Sequence, residues 1–88
     1  MVAKELKVEN ELGFHARVVS RLAREARQFQ STVNVRKGDK LFDLKNVTGA
    51  IMVNAKKGDI LTVEFDGEDE QQAASVIEEL FTQKFGER

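Results

Sequence analysis

The only histidine of the chain, His15, stands in the run Gly13-Phe14-His15-Ala16-Arg17. Imidazole, with an ordinary pKa of about 6.5, is the one side chain that normally changes charge near neutrality. Its neutral form offers a ring-nitrogen lone pair and can act as a nucleophile. If a helix begins at Ala16, His15 takes the cap position and the backbone N–H groups of Ala16, Arg17 and Val18 lack intrahelical partners. Free amides and the positive end of the helix dipole favour an anion there. Arg17 adds a guanidinium whose fork of donors matches phosphate oxygens. An exposed helix end stabilises an anion by only about 0.3–1 kcal/mol, which suits a phosphoryl group that must be handed on. The same residues also fit a plainer role, a histidine at a solvated helix start. Arg17, Arg21 and Arg24, at i, i+4 and i+7, equally describe a solvated helix face, and Gly13 reads as a loop residue.

Other chemistry has little support. Cysteine is absent, which removes disulfides, thiolate nucleophiles and thiolate metal sites; with a single histidine, neither a metal nor a cofactor is expected. There is no Gly-x-Ser-x-Gly elbow, and no acid is marked by spacing as a partner for His15, so a hydrolase is disfavoured. With 14 basic and 15 acidic side chains and a net charge of −1, the chain carries no electrostatic footprint for nucleic acid. Its N-terminus, Met1-Val2-Ala3-Lys4-Glu5-Leu6, holds no apolar run long enough for a signal peptide or membrane insertion, so a cytoplasmic protein is expected.

The elements that must position His15 follow from periodicity. Val2, Leu6 and Val8 lie on one side of an alternating pattern that Lys4 interrupts, giving a strand over residues 2–8. Val19, Leu22, Ala23, Ala26 and Phe29 recur at spacings of three and four, predicting an amphipathic helix over about 16–28. Val33 and Val35 alternate with polar residues in Thr32–Lys37; Lys37-Gly38-Asp39-Lys40 turns the chain into Leu41-Phe42-Asp43-Leu44, completing a hairpin. Asn46 is a good N-cap for a short helix from Val47 to about Val53. Lys57-Gly58-Asp59 turns the chain again into the strand Ile60–Phe65, with Leu61, Val63 and Phe65 on its apolar face. Glu68-Asp69-Glu70 then places negative charge at the start of a helix with the stripe Ala73, Val76, Ile77, Leu80 and Phe81, and Lys84 and Arg88 suit its negative end. Eighty-eight residues without a linker or repeat make one domain, 1–88, with one core. One apolar face per element favours a two-layer α+β sandwich, helices covering one side of an antiparallel sheet.

The segment Val47–Val53 holds five apolar residues among seven, more than one buried stripe requires. Exposed apolar side chains beside a reactive residue fit transient docking of a partner.

Gly13-Phe14-His15-Ala16-Arg17 after a first strand resembles the active-site signature of the HPr family, the histidine-containing phosphocarriers of the phosphoenolpyruvate-dependent sugar phosphotransferase system. Leu44-Lys45-Asn46-Val47, Gly49, Lys57-Gly58-Asp59 and Gly67-Glu68-Asp69-Glu70 also fall where that family has comparable residues. The resemblance implies a βαββαβα open-faced sandwich with sheet order 1-4-2-3 and three helices on one face. It implies that His15 accepts a phosphoryl group from enzyme I on Nδ1 and passes it to a IIA domain, while Arg17 neutralises and orients the phosphate. The docking surface it implies comprises Ser20, Arg21, Arg24 and the exposed side of Val47, Thr48 and Ile51. A carrier that alternates partners through one face is expected to be a monomer without turnover of its own. The chain departs from the pattern at Val18, where the family typically has proline, and at Asn46, where many members have a serine phosphorylated by a regulatory kinase; no phosphoserine is expected at that position. These departures leave open a regulatory or nitrogen-branch paralogue, and a non-catalytic α/β interaction module is the alternative of a different class.

Overall fold

The computed structural model describes residues 1–87. In chain order the elements are β1 (Val2–Lys7), α1 (Ala16–Ala26), β2 (Thr32–Lys37), β3 (Lys40–Asp43), α2 (Val47–Val53), β4 (Ile60–Asp66) and α3 (Glu70–Thr82), followed by a single 3₁₀ turn at Lys84–Gly86. The strands form one antiparallel sheet in the order β1-β4-β2-β3, as the resemblance implied.

Period-two patterning decides which sheet face meets the helices. In the central strand β4, Leu61, Val63 and Phe65 are buried. They stand opposite Leu6, Lys4 and Val2 of β1, while Val63 and Phe65 also face Val35 and Val33 of β2. Lys4 occupies a core-side position yet keeps its charge satisfied by reaching Glu78 of α3, Nζ to Oε1 3.6 Å; long amphipathic side chains bury their stems in this way. The opposite face is polar, with Arg36 donating to both carboxylate oxygens of Glu64 at 2.6 and 3.2 Å. From α1 the core takes Val18, Val19, Leu22 and Ala26, from α2 Ala50 and Val53, and from α3 Ala73, Ala74, Ile77, Leu80 and Phe81. Val76, expected on the α3 stripe, is half-buried and Ala74 takes its place in the core.

Several expected boundaries shift by one or two residues, β3 starting at Lys40 and β4 running on to Asp66. The first helix ends at Ala26 rather than near 28: Gln28 N–H donates to Glu25 and Phe29 N–H to Ala26, both at 3.2 Å. These three-residue bonds tighten the last turn and end the α geometry. β1 stops at Lys7, because the Val8 N–H donates to Asp59 O and its carbonyl accepts from Gly58 N, both at 2.8 Å. β3 stops at Asp43, and Leu44 turns inward to become fully buried while its N–H donates to Val33 O at 2.9 Å.

The acidic run before α3 acts across elements. Asp69 makes no side-chain cap on its own helix. Its carboxylate instead accepts from the backbone N–H groups of Gln30 and Ser31, each at 2.9 Å, and from the Ser31 hydroxyl. It thereby ties the start of β2 to the start of α3. The Ser31 hydroxyl bond, followed by the two amides, pulls the Asp69 carboxyl down to about 2.

Beyond α3 the chain takes an unusual path. Lys84 and Phe85 stand at φ 57° and 56°, a left-handed conformation that costs an L-residue about 1–2 kcal/mol. Phe85 is buried and packs edge-on against Phe14 and Phe81, ring centroids 5.9 and 4.8 Å away. Full burial of a phenylalanine contributes about 1.5–3 kcal/mol, and each aromatic pair about 0.5–1.5 kcal/mol more. The aromatic packing therefore offsets the backbone cost. Lys84, expected at the negative end of the α3 dipole, is exposed in this turn, and Arg88, placed there with it, lies outside the described residues.

Candidate functional site

His15 is the N-cap of α1, with extended backbone (φ −88°, ψ 174°). Its carbonyl accepts the first helical bond, from Val19 N–H at 3.0 Å. Its side chain makes no capping bond. The amides of Ala16, Arg17 and Val18 have no partner among the described residues, the arrangement from which an anion site at a helix start is built.

The loop before His15 is held from three directions. Asn10, fully buried, donates from Nδ2 to Gly13 O at 2.8 Å. Phe14 N–H donates to Ala55 O at 2.9 Å, and the Phe14 ring packs on Phe81 and Phe85. Gly13 is more than a loop residue: it sits at φ 64°, and a Cβ there would collide with the Ala55 carbonyl oxygen and approach Lys56 Cα to 2.9 Å. Close backbone approach, together with the left-handed φ, requires glycine.

A carboxylate completes the site. Glu87 Oε1 lies 2.6 Å from His15 Nε2, and Glu87 Oε2 accepts from Arg17 Nε at 2.8 Å. The hydrogen bond to His15, then that to Arg17, holds the Glu87 carboxyl below the usual carboxylate range. A carboxylate at Nε2 keeps that nitrogen protonated, so the lone pair of the neutral ring sits on Nδ1. Nδ1 has no hydrogen-bond partner among the described residues. The His15 side chain is 24% exposed and that of Arg17 80%, so an incoming group can reach both. The site can present a nucleophilic nitrogen beside a guanidinium and free amides. Among the described residues, no group of three acidic or histidine side chains could hold a metal ion.

The two sets of proposed docking residues behave differently. Ser20, Arg21 and Arg24 share a cleft with Arg17, Leu12 and Glu87. Arg21, however, is half-buried and committed: Nη1 donates to Phe85 O at 3.1 Å. On α2, Thr48 is exposed and Ile51 is 40% exposed, beside Met52 at 64%. Val47, expected on the exposed face, is partly buried and packed on the core. Asn46 caps α2, its side-chain oxygen accepting from Gly49 N at 3.2 Å.

Sequence reasoning missed Glu87. It lies 72 residues from His15, and no spacing rule joins them. The one available signal was Phe85, four positions after Phe81, which extends the apolar stripe past the end of α3 and brings the following residues back towards Phe14.

Residues 2–83 match the family described as "PTS HPr component phosphorylation site". The chain is 36% identical over 87 residues to phosphocarrier protein HPr of Neisseria meningitidis, and 34% identical over 87 residues to that of Xylella fastidiosa; each match covers 99% of this chain and 98% of the relative. The crystal structure of HPr-C-His from Thermoanaerobacter tengcongensis superposes with a TM-score of 0.93 at 27% identity, covering 100% of this chain and 99% of that one. No helix among the described residues is long and apolar enough to cross a membrane.

Proposed function

The chain belongs to the HPr family of phosphocarrier proteins, and from that premise we propose that His15 accepts a phosphoryl group from phospho-enzyme I on Nδ1 and passes it to a IIA domain of a sugar phosphotransferase system. The observation that carries this reading is the hydrogen bond of His15 Nε2 to a carboxylate, which leaves Nδ1 as the basic nitrogen next to the unpaired amides of residues 16–18. Arg17 neutralises phosphoryl oxygens as the group arrives, a counter-charge suited to an incoming dianion. Partners dock on the α1 face at Ser20 and Arg24 and on the exposed apolar side of α2 at Thr48 and Ile51. The protein works in the cytoplasm as a monomer, without membrane insertion or nucleic acid, and turnover belongs to its partners. Asn46 offers no hydroxyl, so phosphorylation by a regulatory kinase is absent at that position.

Incubation with phosphoenolpyruvate and a bacterial enzyme I, followed by intact-mass measurement under alkaline conditions, tests this reading. One acid-labile phosphoryl adduct is expected, and none on His15→Ala. An unmodified chain, under conditions that label a known HPr, would refute it.

A further inference from the structure

We propose that Glu87 is a positioning residue for phosphoryl transfer: its carboxylate orients the His15 ring through Nε2–H and compensates the positive charge that the ring gains when Nδ1 is phosphorylated. This rests on the reading of His15 as the acceptor.

The arrangement is built rather than incidental. Glu87 follows a segment fixed by buried Phe85, by the Arg21 Nη1 bond to Phe85 O, and by backbone bonds from Gly86 N to Gln83 O and Glu87 N to Lys84 O at 3.0 and 2.9 Å. Two non-glycine residues, Lys84 and Phe85, accept left-handed backbone to make that path. Gly86 stands at φ 77°, and a Cβ there would lie 2.5 Å from Arg21 Nη1 and displace the guanidinium that holds Phe85 O. Backbone strain concentrates where geometry matters to function. Arg17 is 80% exposed, and an ion pair with one partner open to solvent adds little to stability, so the carboxylate's effect is sought in the reactivity of His15.

The chemistry balances without moving a proton. The Nδ1 lone pair forms a bond to phosphorus as the bond to the donor breaks and its electron pair leaves with the donor. The ring keeps its Nε2 proton and becomes positively charged, and Glu87 Oε1 continues to accept from that proton. A buried aspartate orients the catalytic histidine of serine proteases in the same sense, through the nitrogen that does not react. Glu87 does not occupy the whole of Arg17. It takes Nε, while the two Nη groups have no partner among the described residues and remain for phosphoryl oxygens.

The test compares the wild-type chain with Glu87→Gln and Glu87→Ala. Two measurements are made: the initial rate of phosphoryl acceptance from phosphoenolpyruvate and catalytic enzyme I, and the imidazole ¹⁵N–¹H spectrum of histidine-labelled protein. Carboxylates that orient metal-ligating histidines through the nitrogen away from the metal are commonly worth about 10–100-fold, and the lower end of that scale is taken for His15. Glu87→Ala is therefore expected to slow acceptance about tenfold or more and to lose the hydrogen-bonded Nε2–H signal. Glu87→Gln keeps an acceptor without the charge, so it should retain the signal and recover part of the rate. Melting temperatures should stay within about 2 °C of one another. Wild-type rate or faster transfer in Glu87→Ala overturns the proposal, as does an unchanged Nε2–H signal. If none of the three chains takes a phosphoryl group, the acceptor reading falls and the proposal with it; that result is distinct from equal rates among three active chains.

Discussion

Replacing Gly13 by alanine tests how the fold holds His15. The φ of 64° at Gly13 costs an L-residue about 1–2 kcal/mol. The added Cβ would also overlap the Ala55 carbonyl oxygen and lie 2.9 Å from Lys56 Cα. Both neighbours are backbone, so neither can rotate aside. Relief requires the 8–15 loop to part from residues 55–56, stretching the 2.9 Å bond from Phe14 N–H to Ala55 O, a bond worth about 1 kcal/mol. The sum is about 2–3 kcal/mol, which for a domain of this size lowers the melting temperature by about 10–20 °C. Gly38→Ala is the control: it has a similar φ of 63° but nothing within 4 Å of its Cβ, so it should show only the backbone cost. Thermal melts followed by circular dichroism, with urea titrations at constant m-value, give the comparison. Phosphoryl acceptance should fall in Gly13→Ala and not in Gly38→Ala, because the first displaces the residue two positions before His15. Equal melting temperatures for the two variants would refute the argument from close approach.

Two further predictions concern Asp69 and Val18. The Asp69 carboxyl, held at about 2 by the Ser31 hydroxyl and the amides of Gln30 and Ser31, has an ordinary unfolded value of about 3.9. Its stabilisation is therefore complete above about pH 4 and lost as pH falls through about 2. Asp69→Asn should lower stability at neutral pH and flatten the acid limb of a stability–pH curve between those values; a superimposable limb would show that the carboxylate contributes nothing. Val18→Pro should fold with a melting temperature within a few degrees of the parent, because Val18 is the third residue of α1 and its amide has no partner among the described residues; proline there breaks no intramolecular hydrogen bond. Loss of the cooperative transition would show that the buried Val18 side chain outweighs the backbone argument.

Much of the fold was legible because the relevant signals are local. Val33 and Val35, or Leu61, Val63 and Phe65, lie two apart, and a strand puts such residues on one face wherever the strand sits. The α1 stripe follows from spacing in the same way. Errors fell where neighbouring elements choose among nearly equivalent residues: Ala74 instead of Val76 in the α3 interface, and the half-burial of Val47. The short helix α2 shows the same division, since its excess of apolar residues signalled an exposed apolar side, found at Ile51 and also at Met52, outside the expected docking set, but not which residue of the first turn would pack inward.

Of the candidate site, the sequence by itself pointed to His15 as the proposed acceptor and to its position at a helix start, since a cap, an arginine two residues on and the unpaired amides are all properties of contiguous residues. It also identified the family motif. Only the tertiary structure brought Glu87 to His15 Nε2 and Arg17 Nε across 72 and 70 residues, and only it left no space for a side chain at Gly13 by setting the loop against Ala55. Those contacts depend on how the 8–15 loop, the segment after α2 and the turn after α3 close over a shared core. Residues joined by such closure carry no common period, so the carboxylate beside the histidine becomes visible only once the chain is folded.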